Sequence, residues 1–80
     1  MDERHHRVVE HIRELAKERG IVISHLPDRA DVARSHFWDV LAGRKSPTLR
    51  WLERIADALE VDVWTLLSPT PKKPRRLDGG

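Results

Sequence analysis

Cysteine is absent from this chain of 80 residues, so it can form neither a disulfide framework nor a thiolate metal site. A run of about 18 apolar residues is also missing, so we expect no segment to span a membrane. The first 20 residues are too charged for a signal peptide. The absence of cysteine permits a reducing compartment such as the cytoplasm, which is the location we expect.

Strand patterns are scarce as well. No alternating or β-rich run is longer than Ile21–Ile23, and no internal repeat is visible. A chain of this length makes one small domain and buries only about 60–65% of its unfolded surface. We therefore expect a single helical domain with a marginal core that would gain from a partner.

The net charge of +2 is small, but it is unevenly distributed. Segment 33–50 carries +3, and so does the C-terminal segment 70–80, which leaves the rest of the chain acidic. The residues behind these values are Arg34, Arg44, Lys45 and Arg50 against Asp39, and Lys72, Lys73, Arg75 and Arg76 against Asp78. A polyanion-binding face on an acidic body has this pattern, although chance clustering on a solvated surface produces it too.

Apolar residues with helical spacing predict a first helix that ends at Gly20. Its stripe consists of Val8, Ile12, Leu15 and Ala16. A short second helix is predicted from a cap at Ser24 to about Ala30, with Pro27 in its first turn. Pro27 should displace Leu26 from the helical region, and Asp31 should occupy the turn that follows.

Three more helices are predicted after this turn. The third covers residues 34–42 and ends at Gly43, and its buried side consists of Val32, Phe37, Val40 and Leu41. Ser46 and Pro47 predict the start of the fourth, whose stripe consists of Leu49, Leu52, Ile55, Ala56 and Leu59. Asp62 can cap a last helix over Val63–Leu67.

Together these patterns predict an all-α fold, a compact five-helix bundle with a helix-turn-helix in its middle. We place this domain at residues 1–68. The basic, proline-rich segment 69–80 is expected to be a disordered tail.

Segment 8–68 resembles the Cro/lambda-repressor-like helix-turn-helix family of the xenobiotic-response-element type. The matching residues are Gly43, Arg44, Lys45, Ser46, Pro47, Leu49, Leu52, Ile55, Ala56, Ala58, Leu59 and Val61. The string is long and ungapped, and it corresponds to a loop and a leucine-rich helix of that family. The resemblance implies a lambda-repressor-like DNA-binding domain whose third helix enters the major groove of double-stranded DNA.

Candidate contacts follow by position from this resemblance. The base contacts would be Arg34, Ser35, His36, Trp38 and Asp39. The phosphate contacts would be Ser24, His25, Arg44, Lys45, Ser46 and Arg50. Arginine can donate two hydrogen bonds to guanine, and aspartate can accept one from cytosine, although Asp39 could instead orient Arg34 or repel phosphate.

The sequence departs from the family pattern in four places. Val22 and Ile23 replace a serine and a glutamine, so one usual phosphate anchor is missing. Pro27 replaces a small residue, Asp31 replaces glycine, and Glu60 stands where glycine is also common. We expect Pro27 and Asp31 to weaken or reshape the second helix. That would alter the orientation of the recognition helix behind it.

Three tryptophans stand at positions that are usually polar in the family. Exposed tryptophan is typical of interfaces, so Trp51 and Trp64 with Leu67 are candidates for a homodimer contact. The alternative is that the two tryptophans cover a small core. Trp38 could contact a thymine methyl group or pack against the second helix.

Other chemistry has little support. His5, His6 and His11 lack metal-ligand spacing, so no metal or cofactor is expected. No catalytic constellation indicates an enzyme. The predicted function is a homodimeric, operator-binding transcriptional regulator, a repressor, in the cytoplasm on the nucleoid. The alternative is an antitoxin-like or scaffold-like protein-interaction module that keeps the fold without a DNA role.

Overall fold

The computed structural model describes residues 3–68, and the predicted tail lies outside them. The predicted all-α fold is confirmed for these residues, which form five α-helices and one 3₁₀ turn. The helices are α1 (Glu3–Glu18), α2 (Leu26–Ala30), α3 (Arg34–Leu41), α4 (Leu49–Leu59) and α5 (Val63–Leu67).

The centre of the bundle is α4, which packs against α1, α2 and α5. Helix α1 also packs against α5, and α2 packs against α3. The predicted apolar stripe of α1 is buried in this core. The other buried apolar side chains come from every helix: Val9, Leu26, Ala30, Phe37, Val40, Leu41, Trp51, Leu52, Ile55, Ala56, Leu59 and Leu66.

Two predictions about the start of the second helix are wrong. A 3₁₀ turn over Ile23–His25 precedes α2, so Ser24 lies inside this turn rather than at a cap. Leu26 has φ −62° and ψ −42°, which are helical values despite the proline after it. Because Leu26 is fully buried, its packing in the core outweighs the local preference. Pro27 lies in the first turn, as predicted, and is buried too.

The first four helices end in the same way, with a left-handed residue that lets the chain turn back. These residues are Gly20, Asp31, Gly43 and Glu60, with φ of 71°, 59°, 85° and 62°. At each end two backbone N–H groups bond to carbonyls of the last helical turn, as Ile21 does to Ala16 at 2.8 Å. Asp31 therefore makes the turn predicted for it, in a conformation that glycine adopts more easily.

The fourth helix begins later than predicted. Its cap is Thr48, whose Oγ1 accepts a hydrogen bond of 3.1 Å from the Trp51 N–H. Ser46 and Pro47 lie in the preceding loop. This start leaves Leu49 57% exposed, so its assignment to the buried stripe is wrong.

Two histidines of α1 connect it to other helices. His11 is buried, and its Nδ1 lies 3.0 Å from the Leu66 carbonyl at the end of α5. His5 Nε2 lies 2.7 Å from the Val40 carbonyl in α3. The Leu66 carbonyl lies in the last turn of α5, where backbone acceptors lack intrahelical donors. The Val40 carbonyl also accepts from the Gly43 N–H at 3.1 Å.

Candidate nucleic-acid interface

The five predicted base-contact residues all belong to α3, but their exposure differs. Arg34 and Ser35 form its first turn and are exposed. His36 and Asp39 are half-buried, and Trp38 is 37% exposed. The outward surface of the first turn therefore consists mainly of Arg34 and Ser35.

Arg34 forms a two-pronged ion pair with Asp28 of α2. Its Nε donates to Asp28 Oδ1 at 3.3 Å, and its Nη2 donates to Oδ2 at 2.6 Å. The hydrogen bond from Arg34 lowers the pKa of the Asp28 carboxyl below its ordinary value, and the same bond raises the pKa of Arg34. Both groups are thus charged at neutral pH, and the pair connects the two helices across the turn.

Asp39 is paired with a different arginine from the one considered above. The Arg44 Nε donates to Asp39 Oδ1 at 3.0 Å, so Asp39 does not orient Arg34. Arg44 is also held through its backbone, whose N–H donates to the Asp39 carbonyl at 2.8 Å. The loop after α3 is therefore fastened to the last turn of that helix by a side chain and by its backbone.

Aromatic contacts anchor the inner side of α3. The rings of His36 and Trp51 meet edge to face with centroids 5.9 Å apart. Phe37 is fully buried, and its ring meets that of Trp38 at 5.1 Å. These contacts restrict His36 and Trp38 and leave Arg34 as the longest exposed side chain of the first turn.

The predicted phosphate contacts lie on three segments that flank α3. Ser24 and His25 are exposed on the 3₁₀ turn, and Arg50 is exposed at the start of α4. The loop between α3 and α4 contributes the exposed residues Arg44, Lys45 and Ser46. Lys45 and Arg50 make no ion pair within residues 3–68, so their charges are not neutralised locally.

An open cleft of about 290 Å³ separates the first turns of α3 and α4. It is lined by Asp31, Val32, Ala33, His36, Thr48, Arg50, Trp51 and Arg54. Arg54 closes one side, since its Nη1 donates to the Asp31 carbonyl at 3.2 Å. Neither this link nor the ion pair between Asp28 and Arg34 was predicted from the sequence. The only indication of that pair in the sequence is an acidic residue in the first turn of the helix before α3.

The two tryptophans considered for a dimer contact differ. Trp51 is only 6% exposed and packs on Phe37, with ring centroids 6.1 Å apart. Its expected exposure is wrong, because α3 covers this side of α4, and the core-covering alternative applies to it. Trp64 is 71% exposed on α5, and Leu67, one turn later, is also exposed.

Among residues 3–68 no three histidine, aspartate or glutamate side chains are grouped so that they could hold a metal ion. No helix in this range is long and apolar enough to cross a bilayer.

A short helix, a tight left-handed turn and a second helix with an exposed polar first turn define a helix-turn-helix domain. The chain belongs to this family, since the family model of the helix-turn-helix domain matches residues 7–65. The resemblance to the xenobiotic-response-element type is confirmed.

Two curated relatives bear the name HTH-type transcriptional regulator SinR. The chain is 33% identical over 58 residues to the protein of Bacillus licheniformis, and the aligned region covers 71% of this chain and 52% of that protein. It is 33% identical over 57 residues to the protein of Bacillus subtilis (strain 168), where the aligned region covers 70% of this chain and 51% of that protein. The chain thus spans about half the length of the curated relatives it matches. No solved structure matches it.

Proposed function

We propose that this chain is a sequence-specific DNA-binding transcriptional regulator that represses transcription by binding an operator as a homodimer. The observation that carries the proposal is the exposed first turn of α3, with Arg34 and Ser35, on a helix whose other end leads into the exposed basic loop of Arg44 and Lys45. The name of the SinR relatives, HTH-type transcriptional regulator, supports it. Such a protein would act in the cytoplasm on the nucleoid.

In this proposal α3 enters the major groove with its N-terminal residues toward the base edges. Arg34 and Ser35 are the principal base contacts, and His36, Trp38 and Asp39 approach the groove from deeper positions. The flanking residues bind phosphates and orient the helix without selecting a sequence. They are Ser24, His25, Arg44, Lys45, Ser46 and Arg50.

The homodimer contact is proposed on α5. Trp64 and Leu67 are exposed within one turn of each other, and exposed aromatic side chains are enriched in interfaces. A two-fold dimer of this family contacts half-sites about 34–36 Å apart, one helical turn of DNA. Sedimentation over a range of concentrations tests the contact: Trp64→Ala should weaken self-association, and a wild-type chain that stays monomeric would contradict it.

The exposure of Trp64 also favours a second candidate, a protein-interaction module of the antitoxin or scaffold type. In that case α5 would bind a different protein and α3 would have no DNA role. The exposed surface of α5 would then bind that partner, and selection from a random duplex library would enrich no sequence.

The deciding experiment is selection of bound duplexes from a random library at a stated salt concentration. We expect enrichment of one operator, and Arg34→Ala should lose preference at one G·C pair by about 5- to 150-fold. Lys45→Ala should weaken binding to all sequences. It should also make the slope of log affinity against log salt concentration shallower, by the amount that about one phosphate contact contributes. Lys17→Ala, an exposed charge of α1 outside the proposed contacts, is the matched control. Absence of enrichment would favour the interaction module.

A further inference from the structure

We infer that Asp28 is a positioning residue for base recognition. It holds the guanidinium of Arg34 so that only the two terminal nitrogens, Nη1 and Nη2, can donate hydrogen bonds to a base. The inference rests on the proposed function, because it assigns a partner to the side chain expected to select guanine. Its basis is the ion pair with two hydrogen bonds between α2 and α3.

The donors of the guanidinium decide how Arg34 can approach DNA. An arginine has five N–H bonds, one on Nε and two on each terminal nitrogen. Asp28 accepts from Nε and from one N–H of Nη2, so the side edge of the group is occupied. The free donors lie on Nη1 and on the outer side of Nη2, and together they form a fork that matches O6 and N7 of guanine.

The pair also restricts a flexible side chain before DNA binds. Arg34 is the first residue of α3, and Ala33 before it makes no side-chain cap that would organise this end. Both partners of the ion pair are more than half exposed, so the long arginine side chain has little other packing to hold it. A side chain that is already ordered loses less rotamer freedom on binding, which favours the matching base.

The carboxylate has an opposite effect on affinity. A negative charge beside the groove repels phosphates at every sequence, so Asp28 should weaken binding in general. It should improve discrimination at the same time, because an arginine held in one orientation cannot adapt to other bases. Lower general affinity with higher sequence preference is therefore the expected signature.

The test compares Asp28→Asn with Asp31→Asn, which removes the same charge from the C-terminal cap of the same helix. Asp31 faces Arg54, with Nη1 to Oδ2 at 3.6 Å, and asparagine tolerates its left-handed backbone. The probes are the selected operator and the same duplex with A·T at the position where Arg34→Ala loses preference. Both variants should bind both duplexes more tightly. Only Asp28→Asn should lose preference for the operator over the A·T duplex, by about 3- to 10-fold, which is a part of the preference expected for a guanine contact.

Two further measurements show whether Asp28 acts through Arg34. In an Arg34→Ala background, Asp28→Asn should leave the remaining sequence preference unchanged. In the free protein, the NMR signal of the Arg34 Nε–H should be protected from exchange, should lose this protection in Asp28→Asn, and should keep it in Asp31→Asn.

Each other result overturns the inference. Equal preference in Asp28→Asn and Asp31→Asn would mean that Asp28 is only a charge, and greater preference would mean that it competes with guanine for Arg34. An unprotected Arg34 Nε–H in the wild-type protein would show that the pair is absent in solution, whatever the protein does with DNA. A wild-type chain that selects no duplex while this signal is protected would overturn the proposed function, and the role in base recognition with it.

Discussion

The molecule has two parts that are stabilised differently: the supporting helices α1, α4 and α5, and the helix-turn-helix pair α2 and α3. Helices α1 and α4 have 16 and 11 residues, and α4 has a side-chain cap at Thr48. The pair has helices of 5 and 8 residues, and neither cap residue, His25 or Ala33, makes a side-chain capping bond. The proposed base-contacting residues thus lie on a helix with little local support, and α5, with five residues and no side-chain capping bond, resembles the pair in this respect.

The difference indicates that tertiary packing holds the pair in place. Isolated helices shorter than about 12–15 residues are marginal in water, so α2 and α3 cannot depend on their own hydrogen bonds. They bury three residues each, and α2 packs directly on α4. The buried residues are Leu26, Pro27, Ala30, Phe37, Val40 and Leu41.

The largest expected effect is that of Phe37→Ala, which removes the central core residue of α3. Phe37 is fully buried, so the loss should be about 3–5 kcal/mol. A domain of this size is stabilised by only about 4–12 kcal/mol, so the whole chain should be close to unfolding. Urea unfolding followed by circular dichroism measures this loss, with the exposed Ser35→Ala as the control. Loss of α3 alone, with the other helices retained, would contradict packing as the common support.

A smaller effect tests the local support that distinguishes α4. Thr48→Ala removes the capping oxygen and should cost about 1 kcal/mol. Ser46→Ala changes the residue that the sequence pattern had favoured as the cap, and should stay within about 0.5 kcal/mol. Urea midpoints of both variants decide the matter. A larger cost for Ser46→Ala than for Thr48→Ala would place the start of α4 at the loop serine.

The left-handed ends of α2 and α4 allow the two parts to be compared directly. Asp31→Gly and Glu60→Gly each replace a side chain at positive φ, and Glu60→Gly should gain about 1 kcal/mol. The gain at Asp31 should be smaller, because aspartate tolerates this conformation better than glutamate does. Thermal unfolding measures both. Asp57→Gly, at an exposed helical position of α4, is the control and should lose about 0.3 kcal/mol rather than gain, since glycine is a slightly poorer helix former than aspartate.

The order, type and approximate length of the helices could be predicted from the sequence, because apolar spacing and turn residues are local signals. The start of α4 could not, since Ser46 and Thr48 both satisfy a capping pattern. The choice between them depends on the path of the chain after Gly43. The burial of Trp51 depends on α3 lying against this side of α4, which spacing within α4 does not reveal.

The position of the candidate site was predictable from the sequence, but its side-chain contacts were not. The exposed first turn of α3 follows from its position after the turn at Asp31, and the family resemblance assigns its residues to the groove. The ion pairs were not predictable from the sequence. Asp28 and Arg34 come within hydrogen-bonding distance because of the angle between α2 and α3, which local patterns do not reveal. Asp39 was placed correctly on α3, but its partner is Arg44 in the loop.

The smallest expected effect concerns the pH dependence of the link between α2 and α3. Because the hydrogen bond from Arg34 lowers the pKa of Asp28, the pair stabilises the fold above the ordinary aspartate pKa and loses this effect as pH falls through the lowered value. The difference in urea midpoint between wild type and Asp28→Asn should thus be small at pH 7 and vanish in acid, since exposed pairs contribute little. An NMR titration of the Asp28 carboxyl gives the direct measurement, and Arg34→Ala should return its pKa to the ordinary value. An unshifted pKa in the wild-type protein would mean that core packing alone sets the angle between α2 and α3.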